Sequence, residues 1–144
     1  MVDIKVTQIR QHGDGIFDIR PLAKKTAADD IQKGDLLKLT TGKVEKMDNV
    51  TDDSTFVGVA DMKSEDANGP SIISVRLKCI VLAPVESAAY AFGAGLKGNF
   101  TNGTLEADGG ANTIAHAWET KATTTSLHVM IDVINLQKLF AVSA

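Results

Sequence analysis

Apolar and polar residues alternate with a period of two along most of this chain, and stretches with the 3.6-residue period of a helix are nearly absent. Val2, Ile4 and Val6 alternate with Asp3, Lys5 and Thr7, which predicts an extended arm or a first strand. Ile16-Phe-Asp-Ile19 follows a Gly13-Asp-Gly15 turn and is expected to stop at Pro21. Thr26-Ala-Ala-Asp29 has the spacing of a capping box and Gly34 is placed to end a helix. Ile31 is the only buried contact that segment offers, so one or two helical turns are the most it predicts.

From Gly34 the strand signals sharpen. Asp35-Leu-Leu-Lys-Leu-Thr40, a turn at Thr41-Gly42 and Lys43-Val-Glu-Lys-Met47 read as a hairpin. Asp48 to Ser54 is a polar loop, and Phe56-Val-Gly-Val-Ala60 a short strand in which Gly58 marks a bulge or a close backbone approach. Ser64 to Pro70 is again a loop. The longest predicted strand runs from Ile72 to Val85. Ile73, Val75, Leu77, Cys79 and Val81 share one face; Ser74, Arg76 and Lys78 share the other until Ile80 and Leu82 replace them. That change implies a strand passing from a solvated edge into a core or an interface, with Pro84 limiting its pairing.

Ala88 to Leu105, rich in Gly, Ala and Asn, predicts no definite element. Ala111 to Glu119 and Ser126 to Val133 read as a second hairpin joined by residues 120–125, with Leu127, Val129, Ile131 and Val133 pointing inward. The tail, Ile134-Asn-Leu-Gln-Lys-Leu-Phe140, is apolar enough to require a docking place. Strands recurring about every ten residues with turns between them predict a mainly β fold, a small barrel or sandwich, with short helical turns at most. The expected organisation is a single domain, with residues 1–20 as an N-terminal arm and first strands and residues 21–144 as the barrel.

Composition narrows the function. A chain of 144 residues, 44% apolar and 23% charged, is long enough to bury a core without disulfides or metal. Its net charge of −3, with dispersed lysines and arginines, argues against a nucleic-acid partner. The start of the sequence lacks the features of a signal peptide, and no run approaches the roughly 20 apolar residues of a membrane span. Synthesis in a cytoplasm and no membrane partner are therefore expected. Cys79, the single cysteine, has an apolar setting that suits a small core residue better than a reactive thiol.

Motifs for chemistry are weak. Gly93-Ala-Gly95-Leu-Lys-Gly98 satisfies G-x-G-x-x-G, but Asn99-Phe-Thr-Asn-Gly103 follows where a dinucleotide site needs a helix. His116 and His128 are placed to approach each other across the second hairpin, yet two imidazoles are too few for a zinc site. One histidine beside Trp118 and one on the solvent face is the simpler arrangement. Gly69-Pro-Ser71 lacks the second glycine of a nucleophile elbow, and Asp48, Asp52 and Asp53 do not have EF-hand spacing. No cofactor, metal or catalytic residue is expected.

The phrases Ile31-Gln-Lys-Gly-Asp-Leu-Leu-Lys-Leu39, Thr41-Gly-Lys-Val44, Thr55-Phe-Val-Gly-Val-Ala60 and Val75-Arg-Leu-Lys-Cys-Ile-Val-Leu82 resemble the decoration, or cement, proteins of tailed-bacteriophage heads. Phe92-Gly-Ala-Gly-Leu96, Ala107-Asp-Gly-Gly-Ala111 and Thr124-Thr-Ser-Leu-His-Val-Met-Ile-Asp132 are similar to the same group, so the resemblance spans roughly residues 30 to 133. It implies a β-tulip-like barrel that clusters, often as a homotrimer, on the outside of the capsid, where it bridges copies of the major capsid protein and stabilises the expanded head. On that reading Val2, Ile4 and Val6 form an arm reaching a neighbouring subunit, and Leu136, Leu139 and Phe140 form a self-association contact. The alternative is a small ligand-binding or accessory barrel that takes an anion at the Gly93–Gly98 loop.

Overall fold

The structure, a computed structural model, describes residues 2–11, 19–64 and 69–133. It is mainly β, as the alternation predicts, and its strands form two sheets. The strands are β1 (Thr7–Gln11), β2 (Ile19–Ala23), β3 (Leu36–Thr40), β4 (Lys43–Lys46), β5 (Phe56–Ala60), β6 (Ile72–Arg76), β7 (Lys78–Tyr90), β8 (Gly95–Asn99), β9 (Thr104–Ala107), β10 (Ala115–Ala117) and β11 (Lys121–Asp132). The larger sheet has the order β1-β7-β11-β10-β8-β9, and a parallel contact at Val85 and Leu105 joins β7 back to β9. Five of its strands thus close a barrel, with β1 added on the outside of β7. The second sheet has the order β2-β6-β5-β3-β4. Among the described residues no helix is long and apolar enough to cross a membrane.

The expected strand from Ile72 to Val85 is two strands in different sheets. The chain breaks at Leu77, β6 pairing with β2 and β5 while β7 enters the barrel. The inward residues Ile73, Val75, Leu77, Cys79 and Val81 are all buried, so the alternation passes unbroken through the corner and gives no sign of it. Neither proline ends its strand. Pro21 lies inside β2, which is the edge of its sheet and tolerates a missing N–H. Pro84 lies inside β7 opposite Ser126, beyond the stretch Cys79–Leu82 that β1 covers, and the β7–β11 register slips just past it.

The first hairpin forms as expected, with Thr41 and Gly42 both at positive φ. Such a two-residue turn matches the twist of the flanking strands. The segment around Thr26 makes turns rather than a helix, although Ile31 is fully buried. Residues Val50–Ser54 form one 3₁₀ turn, capped by Asn49 in a reciprocal arrangement with Asp52. The second hairpin pairs β10 with β11, but β11 starts at Lys121, inside the expected loop.

The N-terminal residues are not a free arm. Ile4 and Val6 are each only 2% exposed and belong to the hydrophobic core. The Val2 N–H donates to the Phe100 carbonyl at 2.7 Å and the Val6 N–H to the Gly34 carbonyl at 3.0 Å. The segment therefore lies between a barrel turn and the start of β3. A Cβ at Gly34 would run into the Val6 carbonyl oxygen, and Gly34 also sits at φ +95°, so only glycine lets the chain pass there. Lys5–Asp35 (3.5 Å) and Lys46–Asp3 (2.9 Å) ion pairs fasten the segment further. The expected division at residues 20 and 21 falls inside β2.

Candidate interaction surfaces

Of the residues expected to make intermolecular contacts, Ile4 and Val6 are consumed by the chain's own core, because burying them there removes them from water without a partner. Val2 remains about half exposed. Leu136, Leu139 and Phe140 lie outside the described residues.

Two apolar surfaces emerge that the pattern alone did not reveal. The first is on β2 and β6. Ile19 pairs with Arg76, Pro21 with Ser74 and Ala23 with Ile72, so these residues share one face of the pair. Ile72 is 56% exposed and Ile19 is also exposed, giving an apolar stripe with Pro21 between them across the β2–β6 pair. Arg76 is held beside it by Asp61 at 2.8 Å.

The second is on the outer wall of the barrel. Val81, Val129 and Ile131 fill the interior, so Ile80, Leu82, His128 and Met130 point outward. His116 lies opposite Met130 on the same wall. Beside them a groove of about 250 Å³ is lined by Phe92, Gly93, His116, Ala117, Trp118, Met130 and Asp132. Phe92 and Trp118 are 58% and 38% exposed, with ring centroids 5.1 Å apart, while Met130 forms a nearly covered floor. The change from polar to apolar residues along β7 thus marks this wall. Sequence reasoning registered the change but could not see that Phe92 and Trp118 join it, since both come from other parts of the chain.

His116 and His128 share this wall. His128 Nδ1 lies 2.7 Å from the Glu119 carboxylate, and Arg10 Nη2 lies 3.2 Å from His128 Nε2. Because a guanidinium only donates, Nε2 accepts and Nδ1–H donates to Glu119. Both ring nitrogens are engaged, which leaves neither to serve a nucleophile. The His128 backbone N–H, followed by its ring, holds the Glu119 carboxyl below the usual range. Among the described residues no group of three or more His, Cys, Asp or Glu is placed to hold a metal ion.

The acidic loop carries its own counter-ion. Lys38 Nζ lies 3.1 Å from Asp52 and 3.2 Å from Asp48, with Glu45 at 3.8 Å. Burial works against the ammonium, but hydrogen bonds to Asp52 and Asp48 outweigh it and raise its pKa. The glycine motif forms no phosphate loop: Gly95 and Gly98 lie in β8, with Leu96 buried between them, and no helix follows. A cleft of about 600 Å³ does open beside Gly98, lined by Asp48, Asn49, Val50, Lys97, Asn99, Phe100, Thr101 and Glu106. Cys79 is fully buried, as expected.

No protein-family model matches this chain, and no curated protein matches it.

Proposed function

We propose that this chain is a structural virion protein that binds the outer surface of a bacteriophage capsid, bridges coat subunits and stabilises the expanded head. The observation that carries the reading is the exposed apolar stripe of Ile19, Pro21 and Ile72 across the β2–β6 pair. An exposed apolar face on a sheet suits a protein partner rather than a small molecule. Each such contact is modest, and repetition by symmetry on a lattice makes the sum strong. The protein acts as a homotrimer, placed on the capsid exterior after synthesis in the host cytoplasm, and uses no cofactor.

The test is light scattering of the purified protein, followed by sedimentation with expanded, undecorated phage heads. The expected result is a trimer that co-sediments in a saturable ratio to coat protein. A monomer that stays in the supernatant with every head tested overturns the reading.

One observation favours a second reading, a ligand-binding accessory barrel: the cleft beside Gly98, with Lys97 on its wall. Titration with nucleotides and sugar phosphates, giving chemical-shift changes confined to residues 97–101, would support it.

A further inference from the structure

His128 ties three parts of the barrel wall together. Its Nδ1–H donates to the Glu119 carboxylate at 2.7 Å, and the same carboxylate accepts the His128 backbone N–H at 2.7 Å. Glu119 therefore fixes the ring's orientation and its tautomer. The other ring nitrogen, Nε2, accepts from the Arg10 guanidinium at 3.2 Å. In the sheet β7 lies between β1 and β11, with Leu82 beside His128 and Ile80 beside Arg10. The Arg10 side chain thus crosses β7 to reach β11. β1 is the strand that gains from such a tether. It ends the sheet order, and its register with β7 slips between Thr7 and Arg10. Gln8, within the slip, sits at φ +50°, a conformation that is costly for a residue with a side chain.

The Arg10 bond exists only while Nε2 keeps its lone pair. A proton there removes the acceptor and sets an imidazolium against a guanidinium, which repel. The Glu119 contact survives the same proton as an ion pair. Imidazoles gain this proton as pH falls from about 8 to 5. Among the described residues, Arg10 comes to the ring from β1, Glu119 from the approach to β11, and Lys121 at the start of β11 acts on Glu119. His116 faces the same wall from β10. β7 presents the uncharged Ile80 and Leu82, and its Lys78 lies 3.8 Å from Asp132, beyond Met130. Glu119 is held below the usual carboxylate range and stays ionised throughout, so His116 is the other group here that titrates over this interval. We propose that His128 is a pH-sensitive latch on β1, holding Arg10 across β7 while neutral and releasing it when protonated. The proposal does not depend on the capsid reading, since the β2–β6 stripe is a different surface.

NMR of the full chain between pH 8 and pH 5 tests it. In the wild type the Arg10 guanidinium signals are expected to move with the same midpoint as the His128 ring. Hydrogen exchange of the β1 amides, corrected for its intrinsic pH dependence, should quicken about fivefold over the same interval, the change that losing one hydrogen bond produces. H128Q offers an acceptor that does not titrate, so its Arg10 signals and β1 exchange should stay flat. H116Q should behave as the wild type. Arg10 signals that stay still while the His128 ring titrates overturn the proposal. A wild-type response that persists in H128Q, or vanishes in H116Q, overturns it too by assigning the pH dependence to another group. Should H128Q fold poorly, the comparison of Arg10 with the His128 ring in the wild type decides the matter alone.

Discussion

Asp35 is an ionisable residue placed where water barely reaches, only 1% exposed. Its Oδ2 accepts the Gln32 N–H at 2.8 Å, but among the described residues Oδ1 has no hydrogen-bond donor, only the Lys5 ammonium at 3.5 Å. Burial outweighs the Gln32 hydrogen bond and the Lys5 and Lys46 charges and raises its pKa above the ordinary 3.8. A carboxyl whose folded pKa is raised lends stability that is fully present below its unfolded value and lost as pH rises through the folded value. Asp35→Asn should therefore melt a few degrees higher than wild type at pH 7. The gap should close as pH falls toward the ordinary carboxylate range, which melting curves across pH will check. The lost ion pair matters little, because Lys5 is half exposed. Lys24 is the opposite case. Its ammonium is buried and donates to the carbonyls of Ala27 at 2.7 Å, Asp29 at 3.2 Å and Ser64 at 3.5 Å, tying two loops to the end of β2. Lys24→Met keeps the volume but leaves buried carbonyls without a donor, a loss of about 3 kcal/mol in urea unfolding.

At the scale of elements, the packing of β5 against its neighbours depends on Gly58. It sits at φ +139°, and a Cβ there would collide with the Arg76 carbonyl oxygen. The β3–β5 register slips at this point, Leu37 facing Gly58 while Lys38 faces Phe56. The bulge and the close approach expected from the sequence are thus the same event. Gly58→Ala should destabilise by about 3 kcal/mol, combining backbone strain with the displaced strand. Gly42, also at positive φ but with open space around it, should cost less than half as much when changed to alanine, since strain alone remains. Urea midpoints of the two variants side by side test whether it is the β5–β6 approach, and not the φ angle, that demands glycine.

For the whole molecule, the N-terminal segment is part of the closure between the two sheets. Ile4→Ala should destabilise the fold by about 3 kcal/mol, the range for emptying a buried aliphatic site. An arm that merely reached a neighbour would leave the free protein's stability unchanged. Replacing both Ile19 and Ile72 with serine should instead spare the melting temperature and weaken co-sedimentation with phage heads. These outcomes separate a residue that holds the fold from one that meets a partner.

The class of fold, the first hairpin, the inward stripes of β7 and β11 and the burial of Cys79 are all legible in the order of residues. Each follows from the two-residue period of a strand or from a turn that only certain residues can make. Ile4 and Val6 show where that reading stops. Their alternation said that one side of the segment is apolar, but not whether its partner is another chain or the core of this one. The break at Leu77 was hidden for the same reason, because a strand that turns a corner between sheets keeps its inward face inward. Pro21 is tolerated because β2 is a terminal strand of its sheet, which is a property of strand order. The aromatic groove was beyond reach because Phe92, Trp118 and Met130 come from three separate parts of the chain. Periodicity records which way each residue faces; only closure of the barrel decides what it faces.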